Sequence, residues 1–230
     1  MEQHMMRVIA RIRSEFPDKF GIPRQSGLVN ALRASVIFEP EYRKADALRG
    51  LEGFSHLWLI WQFSEAVRDT WSPTVRPPRL GGNVRMGVFA TRSPFRPNPI
   101  GLSCVKLEGI AQEEGLGSVL YVSGADLMDG TPIYDVKPYI PYTDAHGDAR
   151  GGFAAAPSET IPVDCPAALL EKLPPQQAEA LLGVLAQDPR PGYQEDPERV
   201  YGMHFAGWNV RFCVADGVLR VRSIEKKESL

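Results

Sequence analysis

RMGVFATRSPFRPNPIGLSCVKLEGI, residues 85–110, places a proline-rich loop between two runs of strand-forming residues. Proline fixes its own φ, has no backbone donor and pushes the preceding residue towards extended geometry. The middle of the stretch is therefore unsuited to a helix or to a central strand, whereas RMGVFAT (85–91) and IGLSCVKLEGI (100–110) have strand composition. We predict two strands joined by a stiff, cationic loop.

Similar short strands lie on both sides of this stretch. They are RVIARI (7–12), ASVIF (34–38), HLWLIWQF (56–63), SVLYVSGADL (118–127) and IYDVKPYI (133–140). HLWLIWQF is almost wholly apolar, as in a strand covered on both faces, and its proline makes IYDVKPYI a predicted edge strand. Because hardly any helix separates the strands, we predict a mainly β fold, an antiparallel sheet or small barrel, and exclude βαβ repeats.

The character of the chain changes after about residue 145. Residues 143–160 lack periodicity and read as a linker, and PAALLEKL (166–173) and PPQQAEALLGVLAQDP (174–189) have helical patterns. FAGWNVRFCVADGVLRVRSI (205–224) reads as a terminal hairpin with an Ala-Asp-Gly turn. We therefore predict a β domain over 1–145 and a smaller α+β domain over 146–230.

Basic residues are concentrated in the middle of the chain. The formal net charge is −2, but residues 70–107 hold six bases (Arg76, Arg79, Arg85, Arg92, Arg96 and Lys106) and no Asp or Glu, which leaves 20 basic against 28 acidic residues elsewhere. A local cationic patch on an acidic body indicates a localised anionic partner.

Common catalytic signatures are absent from the sequence. It has no G-x-G-x-x-G, no phosphate-binding loop, no G-x-S-x-G and no H-E-x-x-H. The three cysteines (Cys104, Cys165 and Cys213) are far apart and form no C-x-x-C, so we expect free thiols and no metal site. With no signal-peptide pattern and no apolar run of about 20 residues, we expect a cytoplasmic protein.

Two proline-arginine loops, WSPTVRPPRLGG (71–82) and TRSPFRPNPIG (91–101), could form a binding site. Rigid loops lose little entropy on meeting a ligand, and the arginine fork matches a carboxylate or phosphate. Asp126 and Asp129 follow a strand in the next segment; they could form Asx turns or complete a site of mixed charge. Such a site would suit a zwitterionic nucleoside.

Five segments together resemble the TrmO (TsaA-like, YaeB) family. They are FGIPRQSGLV (20–29), LRGLEGFSHLWLI (48–60), RPPRLGGNVRMGVFATRSPFRPNPIGLS (76–103), DLMDGTPIYDVKPYIPY (126–142) and LAQDPRPGY (185–193). The resemblance implies a non-Rossmann β-barrel that uses S-adenosylmethionine and forms a homodimer. It implies methylation of N6 of threonylcarbamoyladenosine beside the anticodon of threonine tRNA.

The resemblance also implies which residues form the site. The cofactor pocket would comprise Pro23, Arg24, Gln25, Ser64, Glu65, Arg92, Leu102, Asp126, Leu127, Met128 and Asp129. Ser64 and Glu65 replace a His-Gln pair of some relatives, which puts a side-chain role for those two positions in doubt.

Catalytic and RNA-binding roles stay open between several residues. A general base could be Asp126, Asp129, Asp188 or Tyr193, and His204 reads as a packed strand residue. Candidate RNA contacts are Arg76, Arg79, Arg96 and Arg190, with bases stacking on Trp71, Phe95 or Tyr142. Two other functions compete with methyl transfer: a non-catalytic S-adenosylmethionine sensor and a structural RNA-binding barrel.

Overall fold

The computed structural model describes residue 2 and residues 4–191 and 196–227. Within them we number twelve strands in chain order: β1 (Ala10–Arg13), β2 (Arg33–Phe38), β3 (His56–Gln62), β4 (Thr74–Val75), β5 (Met86–Gly87), β6 (Ile100–Glu113), β7 (Gly117–Ser123), β8 (Pro132–Pro138), β9 (Val163–Asp164), β10 (Tyr201–Phe205), β11 (Trp208–Ala215) and β12 (Val218–Lys226). The α-helices are α1 (Pro141–Asp144), α2 (Ala167–Leu170) and α3 (Pro175–Ala186). The prediction of a mainly β, antiparallel architecture is confirmed.

Six strands close into a barrel in the order β1-β2-β7-β6-β3-β8, all in antiparallel pairs. Side chains alternate between its two faces, so Leu57, Leu59 and Trp61 of β3 are buried inside. The residues between them are half-buried. The outer face of β3 is thus only partly covered, in contrast to the full coverage predicted from its apolar sequence.

Two strand predictions need correction. IYDVKPYI is not an edge strand, because β8 pairs with both β1 and β3; Pro138 lies at the last position of the strand, where a missing donor interrupts little. Of RMGVFAT, only Met86–Gly87 is a strand, paired with β4, and Val88–Ala90 is a 3-10 turn. Pro73 and Pro77 flank β4 and offer no backbone donor, which limits this hairpin to two pairs.

A second apolar cluster lies around α3 and the sheet β10-β11-β12-β9. The predicted terminal hairpin is present as β11 and β12, and Asp216 and Gly217 both have the positive φ of a type I′ turn. β10 extends it to a three-stranded meander. Phe16, Val29 and Leu32, from the loop between β1 and β2, belong to this second cluster. That loop therefore joins the barrel to the C-terminal sheet.

Glu15 is a half-buried acid in the same loop. Its backbone carbonyl accepts from Ala206 N–H at 2.8 Å, and its carboxylate accepts from the backbone N–H of Arg33. Oε2 is buried without a hydrogen-bond partner among the described residues. Desolvation raises the pKa of Glu15 to about 7, and the charge of Arg33 only partly opposes it.

The Glu15 carboxyl predicts a pH-dependent stability. The folded state keeps this proton up to about pH 7, whereas the unfolded chain releases it near pH 4.5, so the free energy of unfolding falls as the pH rises through this window. Glu15→Gln has no carboxyl to titrate at this position, so this fall in the free energy of unfolding is absent. We expect the unfolding free energy of the variant, relative to wild type, to rise by about 1–3 kcal/mol between pH 4 and pH 8.

Urea unfolding at both pH values measures this difference. Glu179→Gln, an exposed change on α3, is the matched control for the amide substitution. A Glu15→Gln difference that stays constant with pH would contradict the assignment.

Candidate functional site

Three segments that are distant in sequence meet beside β6. Arg92, from the proline loop before β6, donates through Nη1 to Oε1 of Gln25 in the loop between β1 and β2. The positive charge of Arg92 also acts on Asp126, which follows β7. Leu102 on β6 directly precedes Ser103 in the chain and is 50% exposed. The structure thus groups a cation, an anion and an amide, and a cofactor site of mixed charge at this place stays a prediction.

Asp126 is held by protein donors in a largely desolvated position. Ser103 Oγ donates to its Oδ1 at 2.5 Å, and the carboxylate also accepts from the backbone N–H of Ser26. Burial raises the pKa of Asp126 to about 6, and these hydrogen bonds together with the charge of Arg92 restrain the rise. Near neutral pH the ionised carboxylate is therefore available to a cationic or hydroxyl-bearing ligand.

The proline loop is fixed by its own hydrogen bonds. Thr91 Oγ1 donates to the carbonyl of Val88 at 2.8 Å and accepts from Ser93 N–H at 3.2 Å. Arg96 Nη1 donates to the carbonyl of Thr91 at 3.1 Å. Arg92 is thus carried on a loop that is already ordered, which reduces the entropy lost on binding.

The remaining predicted cofactor residues differ in exposure and in their hydrogen-bond partners. Pro23 is buried, and Arg24 is exposed with its carbonyl accepting from Gln25 Nε2. Ser64 and Glu65 begin a 3-10 turn after β3, and Lys19 Nζ donates to the carbonyl of Glu65 at 3.0 Å. This contact ties the turn to the loop that carries Gln25.

The segment after Asp126 turns away from the cluster. Leu127 is 1% exposed and belongs to the barrel core. The carbonyl of Met128 accepts from Thr131 Oγ1 at 2.7 Å. Asp129 Oδ1 accepts from Ser14 N–H at 3.0 Å, so its carboxylate holds the start of the loop after β1. Of the two aspartates, only Asp126 is grouped with Arg92 and Gln25.

The other candidates have protein partners or lie elsewhere. Asp188 forms two hydrogen bonds of 2.8 Å with the guanidinium of Arg190, and Tyr193 lies outside the described residues. Arg79 Nη2 donates to the carbonyl of Ala156. Arg76 is exposed.

Trp61 and Ser103 are site-supporting residues that the sequence reasoning missed. Trp61 Nε1 donates to Ser103 Oγ at 2.9 Å, and both residues are buried. A signal for Ser103 was present in the sequence: strand alternation turns it inward when its neighbour Leu102 faces outward, and an inward hydroxyl in a barrel needs partners.

Exposed aromatic residues cluster on the long segment between β3 and β6. Trp71 and Phe89 are 53% and 72% exposed, and their ring centroids are 6.1 Å apart. The guanidinium of Arg68 lies 3.7 Å from the centroid of Phe95. This aromatic–arginine surface lies on the segment that carries Arg92.

Membrane-spanning helices and clusters of metal-ligating side chains are both absent from the described part of the chain. No helix there is long and apolar enough to cross a membrane. No group of three or more His, Cys, Asp or Glu side chains there could hold a metal ion.

Comparisons with known proteins agree over nearly the whole chain. Residues 11–145 match the model of the tRNA-methyltransferase O N-terminal domain, and residues 158–227 match the TrmO C-terminal domain. The tRNA (adenine(37)-N6)-methyltransferase of Escherichia coli K12 is 42% identical over 99% of this chain and 100% of its own. A Pseudomonas aeruginosa protein that carries the name of an S-adenosylmethionine-dependent methyltransferase is 47% identical over 87% of this chain and 88% of its own. The crystal structure of TrmO from Pseudomonas aeruginosa superposes with a TM-score of 0.81, at 36% identity, covering 97% of this chain and 98% of that one.

Proposed function

Because the chain belongs to the tRNA-methyltransferase O family and is an S-adenosylmethionine-dependent methyltransferase, we propose that it methylates N6 of adenosine 37 in tRNA. We further propose that the substrate base is threonylcarbamoyladenosine in threonine tRNA. The observation that carries the proposal is the grouping of Gln25, Arg92 and Asp126.

The donor set of this cluster fits S-adenosylmethionine. The cofactor has a carboxylate, an ammonium group, ribose hydroxyls and an apolar purine. The Arg92 guanidinium would bind the carboxylate, Asp126 would accept from the ammonium group or a ribose hydroxyl, and Leu102 would pack on the purine. When bound, the cofactor supplies an electrophilic methyl group on a sulfonium.

Catalysis in this site rests mainly on positioning. A rigid pocket that aligns the acceptor nitrogen with the methyl group can lower the activation free energy of methyl transfer by about 7–11 kcal/mol. The site would hold the acceptor N6 in line with the methyl–sulfur bond of the bound cofactor, so that N6 would gain the methyl group, S-adenosylhomocysteine would leave and the N6 proton would pass to water. Since Asp129 and Asp188 are engaged within the protein, we assign neither as the base; Asp126 we assign to ligand binding.

The aromatic–arginine surface would meet the anticodon loop. Single-stranded bases stack on exposed aromatic side chains and phosphates pair with arginine. Trp71 and Phe89 offer the rings, and Arg76 is an exposed cation on the same segment. Arg79, Arg96 and Arg190 each donate to a group of the protein, so a phosphate contact by any of them must share or replace that bond.

We also infer a homodimer, two domains and a cytoplasmic location. Exposed Val84 and Ile100, on the chain segment that carries Arg92, support burial of this segment in a dimer. The two family matches and the two apolar clusters support domains that meet after residue 145. A tRNA substrate and free thiols at Cys104, Cys165 and Cys213 support the cytoplasm.

A methyl-transfer assay tests the function. With tritiated S-adenosylmethionine and total tRNA lacking this methyl group, we expect label in RNA, and mass spectrometry of digested nucleosides should place the methyl on N6 of threonylcarbamoyladenosine. Asp126→Asn should lose most of the transfer. Cofactor binding without label in RNA would support the sensor instead, and RNA binding without cofactor binding would support the structural RNA-binding barrel.

A further inference from the structure

A directed chain of hydrogen bonds ends at Asp126. An indole N–H can only donate, so in the 2.9 Å contact Trp61 Nε1 donates to Ser103 Oγ. Ser103 therefore has its single proton free for Asp126 Oδ1, 2.5 Å away. The order Trp61 to Ser103 to Asp126 follows from the donor inventory of the three side chains alone.

The Trp61 side chain is closely packed by its neighbours. Trp61 of β3 pairs with Gly101 of β6, and a Cβ atom at position 101 would overlap the indole ring. The ring of Phe63 is 4.3 Å from the indole, centroid to centroid. Ser103 is two residues beyond Gly101 on the same strand, at the diagonal position that a long side chain reaches. This packing keeps the indole donor at Ser103.

We propose that Ser103 and Trp61 are positioning residues, which hold the carboxylate of Asp126 ionised and in place for the cofactor. The proposal rests on the proposed function, since Asp126 is assigned there to cofactor binding. A carboxylate has about four acceptor sites, so the donors from Ser103, from Ser26 and from the backbone N–H of Asp126 itself leave room for one from the ligand.

The groups that face Asp126 determine whether loss of the Ser103 hydroxyl raises or lowers the pKa of Asp126. The loop before β6 contributes the charge of Arg92, the loop between β1 and β2 contributes the Ser26 N–H, and β6 contributes the Ser103 hydroxyl. Each of them favours the ionised form, against the desolvation that raises the pKa of Asp126. Removal of the Ser103 hydroxyl should therefore raise this pKa further, by about one unit for one lost hydrogen bond.

The first measurement uses the full-length protein without ligand. Carbon-detected NMR of protein labelled at the Asp carboxyl carbon, with Asp126→Asn to assign the signal, follows the titration of Asp126. We expect the titration midpoint of Asp126 to be about one pH unit higher in Ser103→Ala than in wild type, and to rise by less in Trp61→Phe. In Ser103→Thr, which keeps a hydroxyl, the midpoint should equal that of wild type. Ser123→Ala is the matched control, because Ser123 is a buried serine that donates to another carboxylate, Glu108, at 2.6 Å.

The second measurement is calorimetric binding of S-adenosylhomocysteine from pH 5.5 to 8.5. If only the ionised carboxylate binds, Ser103→Ala should bind about fivefold more weakly at pH 6 and within about twofold of wild type at pH 8.5. An unmoved titration in the unliganded variant overturns the hydrogen-bond chain, whatever the ligand does. A moved titration with an unchanged binding profile overturns the role of Asp126 in cofactor binding and leaves the chain intact.

Discussion

Arg92→Ala is expected to weaken S-adenosylhomocysteine binding by about 10- to 100-fold. A charge-assisted hydrogen bond contributes about 1.5–3 kcal/mol, and each 1.4 kcal/mol is a factor of ten in affinity. Arg92 also favours the ionised form of Asp126, so its removal weakens both charged contacts at once. Isothermal titration calorimetry at pH 7.5 measures the change, and circular dichroism confirms that the variant is folded.

Arg76→Ala is the matched control for this experiment. Arg76 is an exposed arginine in the other proline-arginine loop. Among the described residues, the arginine that acts on Gln25 and Asp126 is Arg92. We expect this variant to keep its affinity for S-adenosylhomocysteine and to bind tRNA more weakly, with a shallower salt dependence. Equal cofactor affinity in Arg92→Ala and wild type would remove Arg92 from the site.

Gly101→Ala is expected to lower the free energy of unfolding by about 2–3 kcal/mol. The new methyl group would lie well inside 3.0 Å of the Trp61 indole, which is buried and packed on Phe63. Forcing a side chain into a packed core typically costs about 1–3 kcal/mol, and a rigid ring has little room to move. Displacement of the indole should also break its bond to Ser103 and weaken cofactor binding.

The same strand offers a control in Gly109→Ala. Nothing lies within 4 Å of a Cβ atom at Gly109, so we expect a change in unfolding free energy below about 1 kcal/mol and unchanged cofactor affinity. Urea unfolding of the two variants and wild type makes the comparison. Similar stability of both variants would show that the core adapts around Trp61 and that the close packing on Gly101 is unimportant.

Local sequence was enough for most strands and for the stiffness of the proline loop. The apolar run in HLWLIWQF and the β-branched composition of ASVIF act over a few residues, so β3 and β2 were predicted where they occur. The predicted edge role of IYDVKPYI was wrong, because barrel closure through β1 gives β8 a second neighbour. Closure depends on how all six strands curve together, which no single segment encodes.

The candidate site also combines features that local sequence predicts with features that depend on the fold. Local sequence was enough for its chemistry: it has no standard nucleotide loop, a stiff arginine loop and an aspartate after a strand. Which groups meet depends on the fold, since Arg92 and Gln25 are 67 residues apart in the chain and Trp61 and Ser103 are 42 apart. The fold groups Asp126 with Arg92 and directs the Asp129 carboxylate to the N–H of Ser14 after β1, although the two aspartates are three positions apart. Backbone direction and strand register, which depend on long-range pairing, set that choice.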